Sequence, residues 1–153
     1  MGSNCSKSKK KPSKQTFTTN ERQSLDKLSL TMLRAAYSSD IQKVCTLLEE
    51  GFPVNRALGP SGFTLAHLAA QTADLDLLKV CLKYSADLDV QELGEGLTPL
   101  MVAAVTGGLK VIETLLRNGA TLCVKDFYGR TSYSLALKYR NHKVSELLGS
   151  LEC

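Results

Sequence analysis

Side chains able to do acid–base, nucleophilic or metal chemistry are few in this sequence. Its histidines are His67 and His142, and its cysteines are Cys5, Cys45, Cys81, Cys123 and Cys153. General acid–base catalysis needs titratable groups that converge on one point, and no such pair is legible here. A P-loop, a G-x-S-x-G elbow, an H-E-x-x-H helix and a dinucleotide fingerprint are all missing. The cysteines are odd in number, widely spaced and without a C-x-x-C pair, a pattern that speaks against a disulfide framework and against a zinc site. Cys45 and Cys81 fall in apolar helical stretches, where a free thiol serves as a small core filler. The expectation is a non-enzyme in a reducing compartment, with no cofactor, no metal and no small-molecule substrate.

The amino terminus carries chemistry of another kind. Its first residues, MGSNCS, match M-G-x-x-x-[ST] with Gly2 and Ser6, the pattern read for N-myristoylation once the methionine is removed. Cys5 lies close enough to the same membrane interface to be a palmitoylation candidate. Lys7, Lys9, Lys10, Lys11 and Lys14 put five positive charges on a stretch without an acid, whereas the whole chain carries only +4. With Lys7 directly after Ser6, the terminus resembles the acylated termini of Src-like kinases. One acyl chain holds a protein weakly, so durable attachment takes a second chain or a polybasic patch, and this stretch offers both. The expected location is the cytoplasmic face of a membrane, the plasma membrane first. The rival reading takes KSKKKPSK as a nuclear import or nucleic-acid patch and places the chain in the cytoplasm or nucleus. It explains the lysines but not Gly2 and Ser6, so nucleic acid is the disfavoured partner.

Residues 1–20 contain one large apolar side chain, Phe17, and cannot bury enough surface to fold, so they read as a disordered tail. The remainder, 24–153, has the periodicity of short helices. No run approaches the roughly 18 to 20 apolar residues of a membrane span, and the terminus lacks the apolar region of a secretory signal. Thr98 and Pro99 open a helix as cap and first residue, and Gly107-Gly108 ends it. Val111, Ile112, Leu115 and Leu116 then give a second helix its apolar stripe, closed by Gly119.

That unit recurs. Ala35-Ala36, Ala69-Ala70, Ala103-Ala104 and Ala136-Leu137 lie in register, as do Thr64, Thr98 and Thr131, and Gly51, Ser85 and Gly119, at steps of 34 or 33 residues. Two helices and a turn at this period resemble the ankyrin repeat family. The pattern G-x-T-P-L-H-x-A-A-x-x-G-H, followed by V-x-x-L-L-x-x-G-A, is matched best by the third unit. The resemblance implies an all-α solenoid of four units, at about 24–56, 60–91, 94–125 and 126–153. The first and last are degenerate caps, and β-hairpin fingers project between units, the first two longer by one residue and bulged. His67 stands at the family's histidine position, which implies a brace for neighbouring loop backbone rather than a base or a ligand. His142 begins a surface helix and needs no role. Leu151 is expected to fold back on the last helix.

The resemblance also implies a mode of action, binding another protein with fingers and first helices. The family's variable positions carry over to Pro60, Ser61, Phe63, Gly94, Glu95, Leu97, Phe127, Tyr128 and Arg130 from the fingers. From the first helices come Tyr37, Ser38, Gln71, Thr72, Val105, Thr106, Lys138 and Tyr139. Phe127, Tyr128, Arg130 and Tyr139 are the favoured anchors, because aromatic and arginine side chains dominate interface energetics. The opposing reading has Phe127 and Leu97 merely packing finger on finger.

Overall fold

In the computed structural model, residues 18–151 are described. The tail residues Gly2, Cys5, Lys7, Lys9, Lys10, Lys11 and Lys14 lie outside them. The described residues form eight α-helices and no strand: α1 (Thr19–Tyr37), α2 (Ile41–Glu49), α3 (Leu65–Thr72), α4 (Leu75–Lys83), α5 (Pro99–Thr106), α6 (Leu109–Arg117), α7 (Ser132–Lys138) and α8 (His142–Gly149). They pair as α1/α2, α3/α4, α5/α6 and α7/α8. First helices stack on one another in the order α1, α3, α5, α7, and α2, α4 and α6 stack in a second row.

Local chemistry sets the boundaries. α1 starts at Thr19, ahead of residue 24, because Thr18 and Glu21 form a capping box in which the Glu21 carboxylate accepts from the Thr18 N–H at 2.8 Å. Asp40 and Asp74 cap α2 and α4 by accepting backbone N–H bonds near 3.0 Å, and Thr98 caps α5 with Pro99 behind it. Each first helix turns into its second through one left-handed residue, at Ser39, Ala73, Gly107 and Arg140, with φ of 54°, 53°, 82° and 58°. Only the third unit places a glycine there. Ser85, between Gly51 and Gly119 in the repeat, likewise keeps φ at 57°.

Between the two rows lies one continuous apolar core. Leu47, Leu77, Ile112 and Leu115 from the second helices meet Met32, Leu68 and Leu100 from the first, all nearly solvent-free. Cys81 is fully buried among them, and burial pushes its thiol up to about 12, which suits the expected filler role. Cys123 is disulfide-bonded, which corrects the expectation of reduced thiols at that position. An odd, scattered set argues against a framework of several bridges, not against one. Leu151 stays 41% exposed instead of folding back. Among the described residues no helix is long and apolar enough to cross a membrane.

The fingers correct another expectation. They are tight turns rather than β-hairpins, each closed by one backbone bond: Leu58 N–H to Phe63, Glu92 N–H to Leu97, and Asp126 N–H to Arg130. The first two closures span five residues and the last four, so the extra residue read from the sequence sits in the turn itself. One closing bond, with a turn bond from Gly62 to Gly59 or from Gly129 to Asp126 inside the first and last fingers, is too little for a ladder. Stacking holds the fingers instead. The Leu93 N–H donates to the Ser61 carbonyl at 3.0 Å and its side chain lies over Gly62; one repeat on, the Phe127 N–H donates to Glu95 at 2.9 Å and its ring lies over Gly96.

Candidate functional site: a groove between fingers and first helices

Of the seventeen predicted finger and helix positions, the helix stack brings seven together. Phe63, Gln71, Glu95, Leu97, Val105, Thr106 and Tyr139 line a single open groove of about 180 Å³, with Val102 and Leu135 at its floor. Three consecutive first helices and two fingers contribute to it, so no single repeat could form it. The apolar walls are Phe63, Leu97, Val105 and Tyr139, and the polar groups are Gln71, Thr106 and Glu95. Tyr37 extends the groove toward the first repeat, its hydroxyl donating to the Gln71 side-chain carbonyl at 2.9 Å.

Two of the wall residues, Phe63 and Leu97, are held from behind by His67. Phe63 stacks on the His67 ring with centroids 5.1 Å apart. His67 is fully buried: its Nδ1 accepts from the Thr64 N–H at 3.2 Å, leaving Nε2 to donate to the Leu97 carbonyl at 2.8 Å. The structural brace implied for His67 is what is found. Burial holds its pKa below the ordinary value, against the opposing pulls of the Leu97 carbonyl, the Glu92 charge and the Val90 carbonyl. The ring is therefore neutral at physiological pH. Lys138 is exposed beside the groove, with Nζ 5.7 Å from the Tyr139 ring centroid.

The four favoured anchors do not form one cluster. Tyr139 belongs to the groove, whereas Phe127, Tyr128 and Arg130 belong to the last finger. Phe127 packs on Gly96 and still leaves 62% of its surface exposed, so finger packing and availability coexist in one side chain. Tyr128 is 69% exposed under the Arg130 guanidinium, which lies 4.9 Å from its ring centroid. Arg130 Nε donates to Asp126 at 2.6 Å, and its Nη2 bonds Glu95 of the preceding finger. This arginine is a strut between fingers whose stem is available only in part.

Two site-shaping residues escape the sequence reading, Glu92 and Asp126. Glu92 is 4% exposed and accepts from the N–H groups of Gly94, at 2.6 Å, of Glu95 and of Leu97, at 3.2 Å. Burial opposes its charge, but those N–H bonds prevail and hold its pKa below the usual carboxylate range. Asp126, one repeat later, accepts from the N–H groups of Tyr128 and Arg130 at 2.9 and 2.8 Å. Burial again opposes ionisation there, and the bonds from Arg130 and Tyr128 lower the pKa. A carboxylate 34 residues from another, each just before a glycine turn, was the available signal. The described residues contain no cluster of side chains able to hold a metal.

An aromatic and aliphatic trough with a few fixed polar groups, spread over three repeats, has the composition of a polypeptide-binding surface. Comparison with known proteins identifies the repeat. A family model described as ankyrin repeats (3 copies) matches residues 32–126 and 67–152. Among similar proteins, the Drosophila melanogaster Neurogenic locus Notch protein is 37% identical over 83 residues, 54% of this chain and 3% of its own length. A probable E3 ubiquitin-protein ligase, XBOS31 of Oryza sativa, is 35% identical over 62% of this chain and 21% of its own. Mouse Rabankyrin-5 is 27% identical over 79% of this chain and 11% of its own. The chain spans no more than about a fifth of the length of these relatives, and what is shared is the repeat. Ankyrin repeats generally bind other proteins, and most of this chain is repeat. By its period, its helix pairs and its matching model, the chain belongs to the ankyrin repeat family.

Proposed function

We propose that this chain is a non-catalytic adaptor: the groove between Phe63 and Tyr139 holds a segment of another protein, and the amino-terminal tail ties the complex to a membrane. The observation that carries the first half is the groove, where side chains chosen for being dispensable to the repeat frame converge. Its apolar walls suit an extended or helical segment with aliphatic or aromatic anchors, and the free amide of Gln71 and the Glu95 carboxylate suit that segment's polar groups. The second half rests on the residues of the tail. Myristate on Gly2, palmitate on Cys5 and the five lysines would together meet the two-signal requirement for stable attachment to the cytoplasmic face of an anionic membrane, the plasma membrane first.

Proximity labelling from the intact chain tests the first half. Val105→Glu with Tyr139→Ala, checked by circular dichroism for retained helix, is expected to remove the neighbours that the wild type labels. An unchanged set would refute the groove as the partner seat. Fractionation tests the second half. Gly2→Ala is expected to release the protein, Cys5→Ser to loosen it, and glutamine at the five lysines to weaken it in a salt-sensitive way. A nuclear or cytoplasmic protein with a lysine import signal reverses this order: Gly2→Ala silent, the lysine change decisive.

A further inference from the structure

Successive loops of the stack are tied together by one recurring side chain. In the loop after α2, the Asn55 side-chain carbonyl accepts from the Asp87 N–H at 2.7 Å, 32 residues on. One repeat later the Asp89 carboxylate accepts from the Thr121 N–H at 2.8 Å and from its hydroxyl at 2.6 Å, again 32 residues on. Asn55, Asp89 and Cys123 occupy the same place in three repeats, at steps of 34. The last joint therefore has a thiol at the tie position, where the earlier joints have an oxygen acceptor. Cys123 is exposed and disulfide-bonded, while Cys45 and Cys81 are free. The chain has five cysteines, which leaves Cys5 or Cys153 as its partner, both outside the described residues.

From this we infer that Cys123 pairs with Cys153, and that the bond is a redox latch fastening the fourth repeat to the third. Register selects Cys153. A tie of the same reach from Cys123, less the one residue by which the last finger is shorter, lands within a residue of it. Sequence distance agrees: 30 residues separate Cys123 from Cys153 and 118 separate it from Cys5, so in an open chain the nearer pair meets roughly eightfold more often. The bond closes a loop that contains α7 and α8 entire, and so restricts the unfolded freedom of that one unit. The unit has use for it, because α8 packs on α7 without joining the row of α2, α4 and α6. It also carries Tyr139, a wall of the groove, so the latch sets how firmly that wall is held. An exposed disulfide is the labile kind, and in a reducing compartment it acts as a signal rather than a staple. The latch closes by exchange with oxidised glutathione. A Cys123 thiolate attacks one glutathione sulfur and expels a glutathione thiolate; the Cys153 thiolate then attacks the Cys123 sulfur of the mixed disulfide and expels the second. The two cysteines are oxidised, glutathione disulfide is reduced to two thiols, and those thiols take up the two protons.

Peptide mapping of the intact chain, equilibrated with oxidised or reduced glutathione and quenched by alkylation, tests the pairing. A Cys123 peptide linked to a Cys153 peptide is expected in the oxidised sample, and the two apart in the reduced one. Hydrogen exchange tests the latch: amides of α7 and α8 are expected to exchange at least about tenfold faster in the reduced chain, while those of α3 and α4 hold. Cys153→Ser is expected to show the faster exchange in both states, and Cys5→Ser to behave as the wild type. A bond from Cys123 to Cys5 or to a second molecule, a Cys123 that stays free in oxidised glutathione, α7 and α8 amides that exchange alike in both states, or a Cys153→Ser chain that still responds would each overturn the proposal. These readouts depend neither on what the groove holds nor on acylation of the tail.

Discussion

His67 of the second repeat donates from Nε2 to the carbonyl of Leu97 in the third, at 2.8 Å. The bond joins two units through a ring that only works neutral on Nδ1, where it accepts from Thr64. Protonation would make both nitrogens donors and set Nδ1 against the Thr64 N–H. Folding lowers the pKa of this histidine, so as pH falls the unfolded chain takes up the proton first. Stability is expected to decline as pH drops below the unfolded value of about 6.5, until the folded group titrates. Urea midpoints between neutral pH and about pH 5 check this, and His67→Met, the side chain found at Met101 one repeat on, should flatten the decline.

Glu92 is expected to behave as an anchor for the second finger. Removing its carboxylate with Glu92→Ala takes one charged acceptor from the N–H groups of Gly94, Glu95 and Leu97, a loss of about 1–3 kcal/mol in chemical unfolding. Because folding lowers the pKa of Glu92 and Asp126, their contribution is present above the unfolded carboxylate range near pH 4 and is lost as pH falls through the folded values.

Gly96 and Gly119 separate two costs that are often confused. Both have positive φ, 76° and 90°, but a Cβ on Gly96 would stand 2.5 Å from the Phe127 ring and one on Gly119 would meet nothing within 4 Å. Gly119→Ala should lose about 1 kcal/mol from backbone strain alone, and Gly96→Ala more. Adding Phe127→Ala to Gly96→Ala should recover part of the excess, a coupling that a double-mutant cycle measures.

The left-handed helix junctions predict stabilising changes. Ala73→Gly and Ser85→Gly place glycine where φ is already 53° and 57°, and each is expected to gain about 0.5–1 kcal/mol, read as a raised melting temperature.

Cysteine reactivity should follow burial. Cys81, fully buried with a thiol pushed up to about 12, resists alkylation until the chain unfolds, while the half-buried Cys45 labels in the native state. Mass spectrometry of the labelled chain shows the order directly.

Much of this was legible because the repeat states each rule several times. A period of 34 fixes helix pairs wherever a threonine cap or a paired alanine recurs, even at Ser85 and Arg140, where the expected glycine is absent. The groove followed from the same register, since Phe63, Gln71, Leu97, Val105 and Tyr139 are neighbours only after stacking. The fingers were not legible. Whether a loop of this length becomes a hairpin or a turn depends on contacts with the loop before it, such as Leu93 over Gly62, which no local pattern contains. Thr18 and Glu21 did carry a helix-start signal, but it lay inside a stretch whose composition reads as unfolded.

Leu93 over Gly62 and Phe127 over Gly96 overlap like roof tiles, each held down by the one that follows. A tiled surface sheds from its last course. Among the described residues nothing overlies the finger at Asp126–Arg130, so a force applied from the carboxyl end lifts Phe127 first and then exposes the edge beneath it. The same force from the amino end must pull against tiles already weighted. The overlap gives these fingers a direction, each covered from its carboxyl side by a side chain of the next, through a pair of glycines small enough to lie beneath.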